Sequence, residues 1–329
     1  MNKTVYFYSP AGSEVSAILR QNGYAITEGD GAAIDPRLLA ECDIYVPGKS
    51  VVTREVLQAA PRLKLISKAG VGMDRVDLEA CTEMGIWAAN TPLVNYITVA
   101  EHAVTLILAA AKQLYPITLR LRAETPDWKA AFKAARAIEL CGKTVALIGF
   151  GHIGRRTAGL LRGFDMRILA YDPYTDKTTV PDYVTLTETL EEALQNADIV
   201  SIHAAGSDST RHLIGGKELA MMKPTAILVN TTRGFVIDEQ ALIKALNDHV
   251  IAGAALDVFE KEPADPDNPL FRMENVLATP HSAANTPESS LRSQQAVAEN
   301  ILTYEESGVP KYACNRPDPI AEKQRTENH

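Results

Sequence analysis

The stretch Lys143-Thr-Val-Ala-Leu-Ile-Gly149-Phe-Gly151-His-Ile-Gly154-Arg-Arg-Thr-Ala constrains this chain more than any other. A short apolar run rich in β-formers breaks into three glycines and passes into a segment of helical period, the pattern of a strand, a tight turn and a helix. Each glycine has a separate mechanical reason. Gly149 permits the turn, Gly151 lets a pyrophosphate approach the backbone, and Gly154 lets the helix pack on the strand, with the helix N-terminus facing the negative charge. The spacing alone is a weak signal. The next strand pattern, Met166-Arg-Ile-Leu-Ala-Tyr-Asp172, ends on an acid roughly 20 residues beyond the glycines, where a ribose hydroxyl needs an acceptor. An acid there repels a 2′-phosphate, so the pattern reads as a dinucleotide site that prefers NAD to NADP.

With 329 residues, 46% apolar and 22% charged, the chain is too long for one core and suits two domains. A net charge of −8 argues against general affinity for nucleic acid or an anionic membrane. The four cysteines (Cys42, Cys81, Cys141, Cys314) show no CxxC spacing, so neither a zinc site nor a disulfide framework is indicated. His152, His203, His212 and His249 follow no metal-ligand spacing either, and no metal is expected. The N-terminus lacks the apolar core of a signal peptide, and no run reaches the length of a membrane span; the cytoplasm is the expected compartment.

From the start, β-type runs (Val5–Tyr8, Asp43–Val46, Leu63–Ser67, Ile86–Ala88) alternate with helical ones (Glu14–Gln21, Arg54–Ala59, Val76–Met84). This alternation predicts a parallel sheet with helical crossovers. No GxGxxG follows its first strand, which makes this unit a candidate for the substrate side. Thr98-Val-Ala-Glu101 reads as a capping box ahead of an apolar helix, His102–Leu114, with Glu101 and His102 as cap and helix-surface residues. Pro116 to Leu140 is polar apart from residues such as Trp128 and Phe132, and reads as an arm suited to a partner protomer. Beyond the glycines, Ile199–His203, Ala226–Asn230, Ala252–Phe259 and Val276–Ala278 read as strands and Asp238–Asn247 as a helix. A last helix, Glu288–Glu305, is followed by a polar tail, Asn315 to His329, expected to fray.

Ligands of doubly wound sheets bind beyond the C-terminal ends of the strands. Three residues stand there: Arg233 after Ala226–Asn230, Glu262 after Ala252–Phe259, and His281 after Val276–Ala278. Arginine offers a bidentate, permanently charged fork for a carboxylate. Histidine exchanges a proton near neutral pH, and a carboxylate partner orients its ring. Beside a nicotinamide, the three suit hydride transfer at a carbonyl carbon.

The ordered motifs Lys68-Ala-Gly-Val-Gly-Met-Asp-Arg-Val-Asp, Asn90-Thr-Pro, Val99-Ala-Glu, Leu140-Cys-Gly-Lys-Thr, GFGHIG, Asn230-Thr-Thr-Arg-Gly, Ala254-Ala-Leu-Asp-Val-Phe-Glu-Lys-Glu-Pro263 and Thr279-Pro-His cover nearly the whole chain. In them the chain resembles the NAD-dependent D-isomer-specific 2-hydroxyacid dehydrogenases, in their phosphoglycerate dehydrogenase and hydroxypyruvate reductase branch. The resemblance implies an α/β architecture of two Rossmann-like parallel-sheet domains. The NAD-binding domain, 98–285, is inserted into a flavodoxin-like substrate domain, 1–97 plus 286–329, with hinges at Thr98 and Glu288. It implies NAD as cofactor, a homodimer formed through the NAD-binding domain, and a small 2-hydroxy or 2-oxo acid as substrate, of hydroxypyruvate, glyoxylate or 3-phosphoglycerate type.

By the same resemblance Arg233 holds the substrate carboxylate and polarises the carbonyl, His281 is the acid/base, and Glu262 orients it. The amides of Val71 and Gly72 hold the other side of the carboxylate. Gly149, Gly151, His152, Ile153 and Gly154 take the pyrophosphate and Asp172 the adenosine ribose; Thr231, Thr232 and Asp257 line the nicotinamide side. Lys49 and Lys68 are candidates for a distal anion on the substrate. Lys49 reads equally as a surface residue, and Tyr96 as a pocket cap or a packing residue. After His203 the chain has Ala-Ala-Gly206 where many relatives carry a proline, and it resembles short members without an appended regulatory domain. Two other readings share the fold: an NADH-sensing corepressor-like binding protein, and a formate- or phosphite-type dehydrogenase.

Overall fold

The computed structural model describes residues 3–134 and 136–327. They divide into two compact units, Met1–Asn95 with Thr286–His329, and Tyr96–Asn285.

In the first unit Thr4–Phe7 (β1), Ala25–Glu28 (β2), Ile44–Val46 (β3), Leu65–Ser67 (β4) and Trp87–Ala89 (β5) form one parallel sheet in the order β2-β1-β3-β4-β5, the flavodoxin-like order. Alternate residues supply two cores: Tyr6, Tyr45, Ile66 and Ala88 on one face, and Val5, Phe7, Ile44, Leu65 and Trp87 on the other with Val297, Ala298 and Ile301 from the helix Pro287–Ser307. Burial on both faces is why these strands read as nearly unbroken apolar runs. The helix Ser13–Gln21 starts at Gly12, which has no side chain to cap it. Gln294 takes that role from the helix Pro287–Ser307, its Oε1 accepting from Glu14 N at 3.1 Å.

Two elements here escape the sequence pattern. β2 is an edge strand with its ends exposed and its middle half-buried, so no alternation marks it. The helix Pro36–Glu41 is six residues long; its signal is present in the Asp35 N-cap and Pro36 at the first helical position. The tail also differs from expectation. Pro319–Glu327 is a helix, fastened by Trp87 Nε1 donating to Glu322 Oε1 at 2.7 Å and by Arg325, whose guanidinium donates to the carbonyls of Leu63 and Ala60 at 2.6 and 2.7 Å. The last two residues of the expected frayed tail lie outside the described residues.

In the second unit Thr144–Ile148 (β6), Arg167–Tyr171 (β7), Val184–Leu186 (β8), Ile199–Ile202 (β9), Ile227–Asn230 (β10), Gly253–Leu256 (β11) and Val276–Ala278 (β12) form a parallel sheet in the order β12-β11-β10-β9-β6-β7-β8. This is the doubly wound dinucleotide-binding order with one added strand, reversing direction beside β6. Val145 and Leu147 face a core shared with Val104, Leu106 and Ile107 of the helix Tyr96–Ala111; Ala146 and Ile148 face the other. That helix begins at Tyr96, so Thr98 lies inside its first turn and is not its cap. Burial of Thr98, Val99 and Ala100 carries the helix through two β-branched positions. Among the described residues no single helix is long and apolar enough to cross a membrane. The segment read as an arm holds two helices, Leu114–Leu121 and Trp128–Ala134.

Candidate active site

Gly149 follows β6 with φ +98, and a Cβ there would meet Ala204 N at 2.4 Å. A Cβ on Gly154 would meet the Gly149 carbonyl oxygen at 2.4 Å, whereas one on Gly151 would meet nothing within 4 Å. Two glycines are therefore required by the protein's own packing, and the third keeps the surface open where a pyrophosphate would lie. The helix His152–Leu161 starts immediately after Gly151. Asp172, at the end of β7, accepts from Phe150 N at 2.8 Å through Oδ2 and from Tyr174 N at 2.9 Å through Oδ1. It is tied to the glycine turn itself. The donor and acceptor set fits a dinucleotide: backbone amides at a helix start for phosphates and a carboxylate for a ribose.

The ring of Tyr96 lies 6.1 Å from that of His152, which places Tyr96 beside the glycine turn. Thr231 is buried and Thr232 half-buried after β10. In the first unit, Val71 O accepts from Asn90 Nδ2 at 2.7 Å and Gly70 N donates to Thr91 Oγ1 at 2.6 Å. These bonds hold the loop and leave the amides of Val71 and Gly72 without a protein acceptor among the described residues. Arg75 Nη1 donates to Lys49 O at 2.9 Å. Arg75 lies within the block Lys68 to Asp77, and only the fold sets its guanidinium beside Lys49.

β10 ends on Asn230, which is fully buried. Its Oδ1 accepts from Thr232 N and Thr232 Oγ1 at 3.0 and 2.9 Å, and its Nδ2 donates to Arg233 O at 2.9 Å. One amide side chain thus shapes the turn that carries Arg233. The next residue, Gly234, lies so close to the chain after β11 that a Cβ would stand 1.9 Å from the Phe259 carbonyl carbon. Glu262 follows on that chain and accepts from Phe259 N at 3.2 Å. His281, three residues beyond the end of β12, completes the group: its Nδ1 lies 2.6 Å from Glu262 Oε2.

Burial pushes the Glu262 carboxyl upward, but the bond and charge of His281, the Phe259 amide and the Arg233 guanidinium outweigh it and hold the group below the ordinary glutamate range. Glu262 is therefore an anion at neutral pH. His281 remains 49% exposed at its side chain, with Nδ1 engaged by Glu262.

His281 has φ +51, a left-handed conformation that costs a non-glycine residue about 1–2 kcal/mol. Its neighbours hold it there. His281 N donates to Asp257 O at 2.7 Å. The Asp257 carboxylate, 0% exposed, accepts from Thr279 Oγ1 at 2.5 Å, Ser282 N at 2.9 Å and Ala283 N at 2.9 Å. Burial raises the Asp257 pKa, and the donors around it reverse the sign, leaving it lowered. Both oxygens of this residue are engaged by the protein itself. His102 is a further member: its Nε2 is 3.1 Å from Thr279 Oγ1 and 3.4 Å from Asp257 Oδ1. It is not the helix-surface residue its sequence context suggests, because the helix Tyr96–Ala111 turns that face toward the end of β12.

The chain is similar to several known proteins. Residues 104–283 match the D-isomer specific 2-hydroxyacid dehydrogenase, NAD binding domain. The D-3-phosphoglycerate dehydrogenase of Methanocaldococcus jannaschii is 41% identical over 281 residues, 85% of this chain and 53% of that protein. The glyoxylate reductase of Korarchaeum cryptofilum is 39% identical over 286 residues, 84% of this chain and 83% of that protein. The solved D-lactate dehydrogenase of Aquifex aeolicus, complexed with NAD and lactic acid, matches with a TM-score of 0.81 at 26% identity, covering 96% of this chain and 100% of that one. Against the first of these the chain spans about half the relative's length. Sharing the NAD-binding domain over more than half of its residues and extended identity with the reductase beyond it, the chain belongs to the D-isomer specific 2-hydroxyacid dehydrogenase family.

Proposed function

We propose that the chain is an NAD-dependent oxidoreductase that interconverts a small 2-oxo acid and its D-2-hydroxy acid. The observation that carries this reading is the 2.6 Å bond between His281 and Glu262 at a strand end neighbouring the one that bears Arg233. Arg233 binds the substrate carboxylate and draws charge onto the carbonyl oxygen; the amides of Val71 and Gly72 serve the same carboxylate. His281 donates the proton to that oxygen in reduction and removes it in oxidation, while Glu262 fixes the ring. Bound NADH supplies the hydride. Gly149, Gly151, Gly154 and the amides of His152 and Ile153 hold its pyrophosphate, Asp172 its ribose, and Thr231 and Thr232 line the nicotinamide side, with Asp257 supporting the loop beside it. Lys49 and Lys68 are candidates for a distal anion on the substrate, with Lys49, which is exposed, reading equally as a surface residue.

A homodimer through the NAD-binding unit is part of the same reading: Trp128 and Phe132, 75% and 78% exposed in the arm, supply apolar area suited to a second copy. The cytoplasm is its proposed compartment. The test is NADH oxidation by the purified protein with hydroxypyruvate, phosphohydroxypyruvate, glyoxylate, pyruvate, 2-oxoglutarate and sulfopyruvate, and with NADPH as control. Turnover of one acid that disappears in His281→Ala is the expected result. Tight NADH binding with no turnover on any of them would overturn the assignment.

A further inference from the structure

The residue that presents His281 is itself held by a side chain far away in sequence. Three backbone amides and one hydroxyl between 279 and 283 converge on residue 257: His281 N reaches its carbonyl, and Thr279 Oγ1, Ser282 N and Ala283 N reach its carboxylate. That carboxylate is wholly buried, and a buried carboxylate deprived of its partners takes up a proton or draws in water. Either change would loosen the loop. Among the described residues the one ion-pairing side chain within reach of it is His102, 3.4 Å from Oδ1, which also stands 3.1 Å from the Thr279 hydroxyl.

We propose that His102 is a positioning residue for the reaction, its imidazole acting through the Thr279 hydroxyl and the Asp257 carboxylate to hold the left-handed backbone that presents His281. The site thus contains two acid–imidazole pairs with different tasks. Glu262 orients the ring of His281, and His102 with Asp257 fixes the chain from which that ring hangs. The inference rests on the acid/base role proposed for His281. It also accounts for Asp257, whose oxygens are engaged by protein donors: its influence passes through the loop. A small displacement of a catalytic group costs turnover more than it costs affinity, since the group must meet the reacting atom within a fraction of an ångström.

Three variants and His281→Ala test this, measured on the full chain. His102→Leu keeps the volume and removes the nitrogen; it is expected to lower kcat about 10- to 100-fold with the KM for NADH changed less than about threefold. His102→Gln carries an amide nitrogen that donates from a similar place, and is expected to recover kcat to within about threefold of the unaltered protein. Thr279→Val, nearly isosteric, removes only the bridging hydroxyl and is expected to follow His102→Leu. Should His102→Leu fail to fold, Thr279→Val decides. A second readout needs no turnover: in imidazole 13C–1H spectra the His281 signal, identified by its loss in His281→Ala, should broaden or double in His102→Leu and Thr279→Val and stay single in His102→Gln. Unaltered kcat and a single sharp His281 signal in both His102→Leu and Thr279→Val overturn the proposal, as does equal impairment of the Leu and Gln variants. If those variants behave like the unaltered protein while His281→Ala is inactive, this inference alone falls. If His281→Ala is itself active, the functional reading falls with it.

Discussion

His281 Nδ1 and Glu262 Oε2 stand 2.6 Å apart, on segments that follow two adjacent strands, β12 and β11. Neutralising the carboxylate while keeping its shape separates orientation from charge. Glu262→Gln is expected to lower kcat roughly 10²-fold, within the range set by acid–base groups, with NADH affinity little changed. Steady-state kinetics with each substrate varied in turn checks this; an unaltered kcat removes Glu262 from the mechanism.

Gly151 and Gly154 are separated by three positions and make opposite demands. A methyl at 154 meets a backbone oxygen that has nowhere to move, so Gly154→Ala should cost about 1–3 kcal/mol of stability, as overpacking does. A methyl at 151 meets open space, so Gly151→Ala should fold with a midpoint close to that of the unaltered protein and bind NADH at least about tenfold more weakly. Thermal unfolding and fluorescence titration of NADH, run on both variants, give the comparison. Equal effects of the two on binding and stability would contradict the division of roles.

Asp172 decides the cofactor if it meets the ribose. Asp172→Asn should weaken NADH by about 10- to 100-fold, the worth of a hydrogen bond to a charged group, and raise the NADPH to NADH preference. Competitive titration of both cofactors measures the ratio, and an unchanged ratio would remove Asp172 as its determinant.

Arg325 sets one guanidinium against the carbonyls of Ala60 and Leu63, and against that of Met84 at the end of the helix Leu78–Glu83. A cation at helix C-termini is favourable. Arg325→Ala is expected to cost about 2 kcal/mol of stability, from charged hydrogen bonds lost, and to expose the helix Pro319–Glu327 to protease while the KM for NADH stays the same. Limited proteolysis followed by mass spectrometry reads the first effect directly.

His203, buried beside Ser201 Oγ at 3.0 Å, is held by burial at a pKa of about 4, below its ordinary 6.5. Below pH 6.5 the unfolded chain takes a proton that the folded imidazole refuses. The stability contributed is therefore full above 6.5 and is lost as pH falls toward 4, by roughly 3 kcal/mol at about 1.4 kcal/mol per pH unit. Denaturant midpoints across pH 4 to 7 should fall less steeply in His203→Asn than in the unaltered protein; parallel curves would show that His203 does not carry the dependence.

What the sequence by itself determined lies within reach of its own neighbours. The glycine turn after β6, the acid at Asp172, the alternation of strand and helix, and the strand ends that bear Arg233, Glu262 and His281 all follow from spacing, since strand, turn and helix are built from contacts a few residues apart. The six-residue helix at Pro36 carried its cap signal but too few apolar positions to show a period. Only the tertiary structure decided the rest. His102 reaches Thr279, 177 residues away, Arg325 reaches Leu63 across 262, and His281 adopts a backbone angle that its local sequence disfavours. Such arrangements are stable because burial and hydrogen bonding from distant segments outweigh the local preference, and no local pattern records which distant partner will arrive.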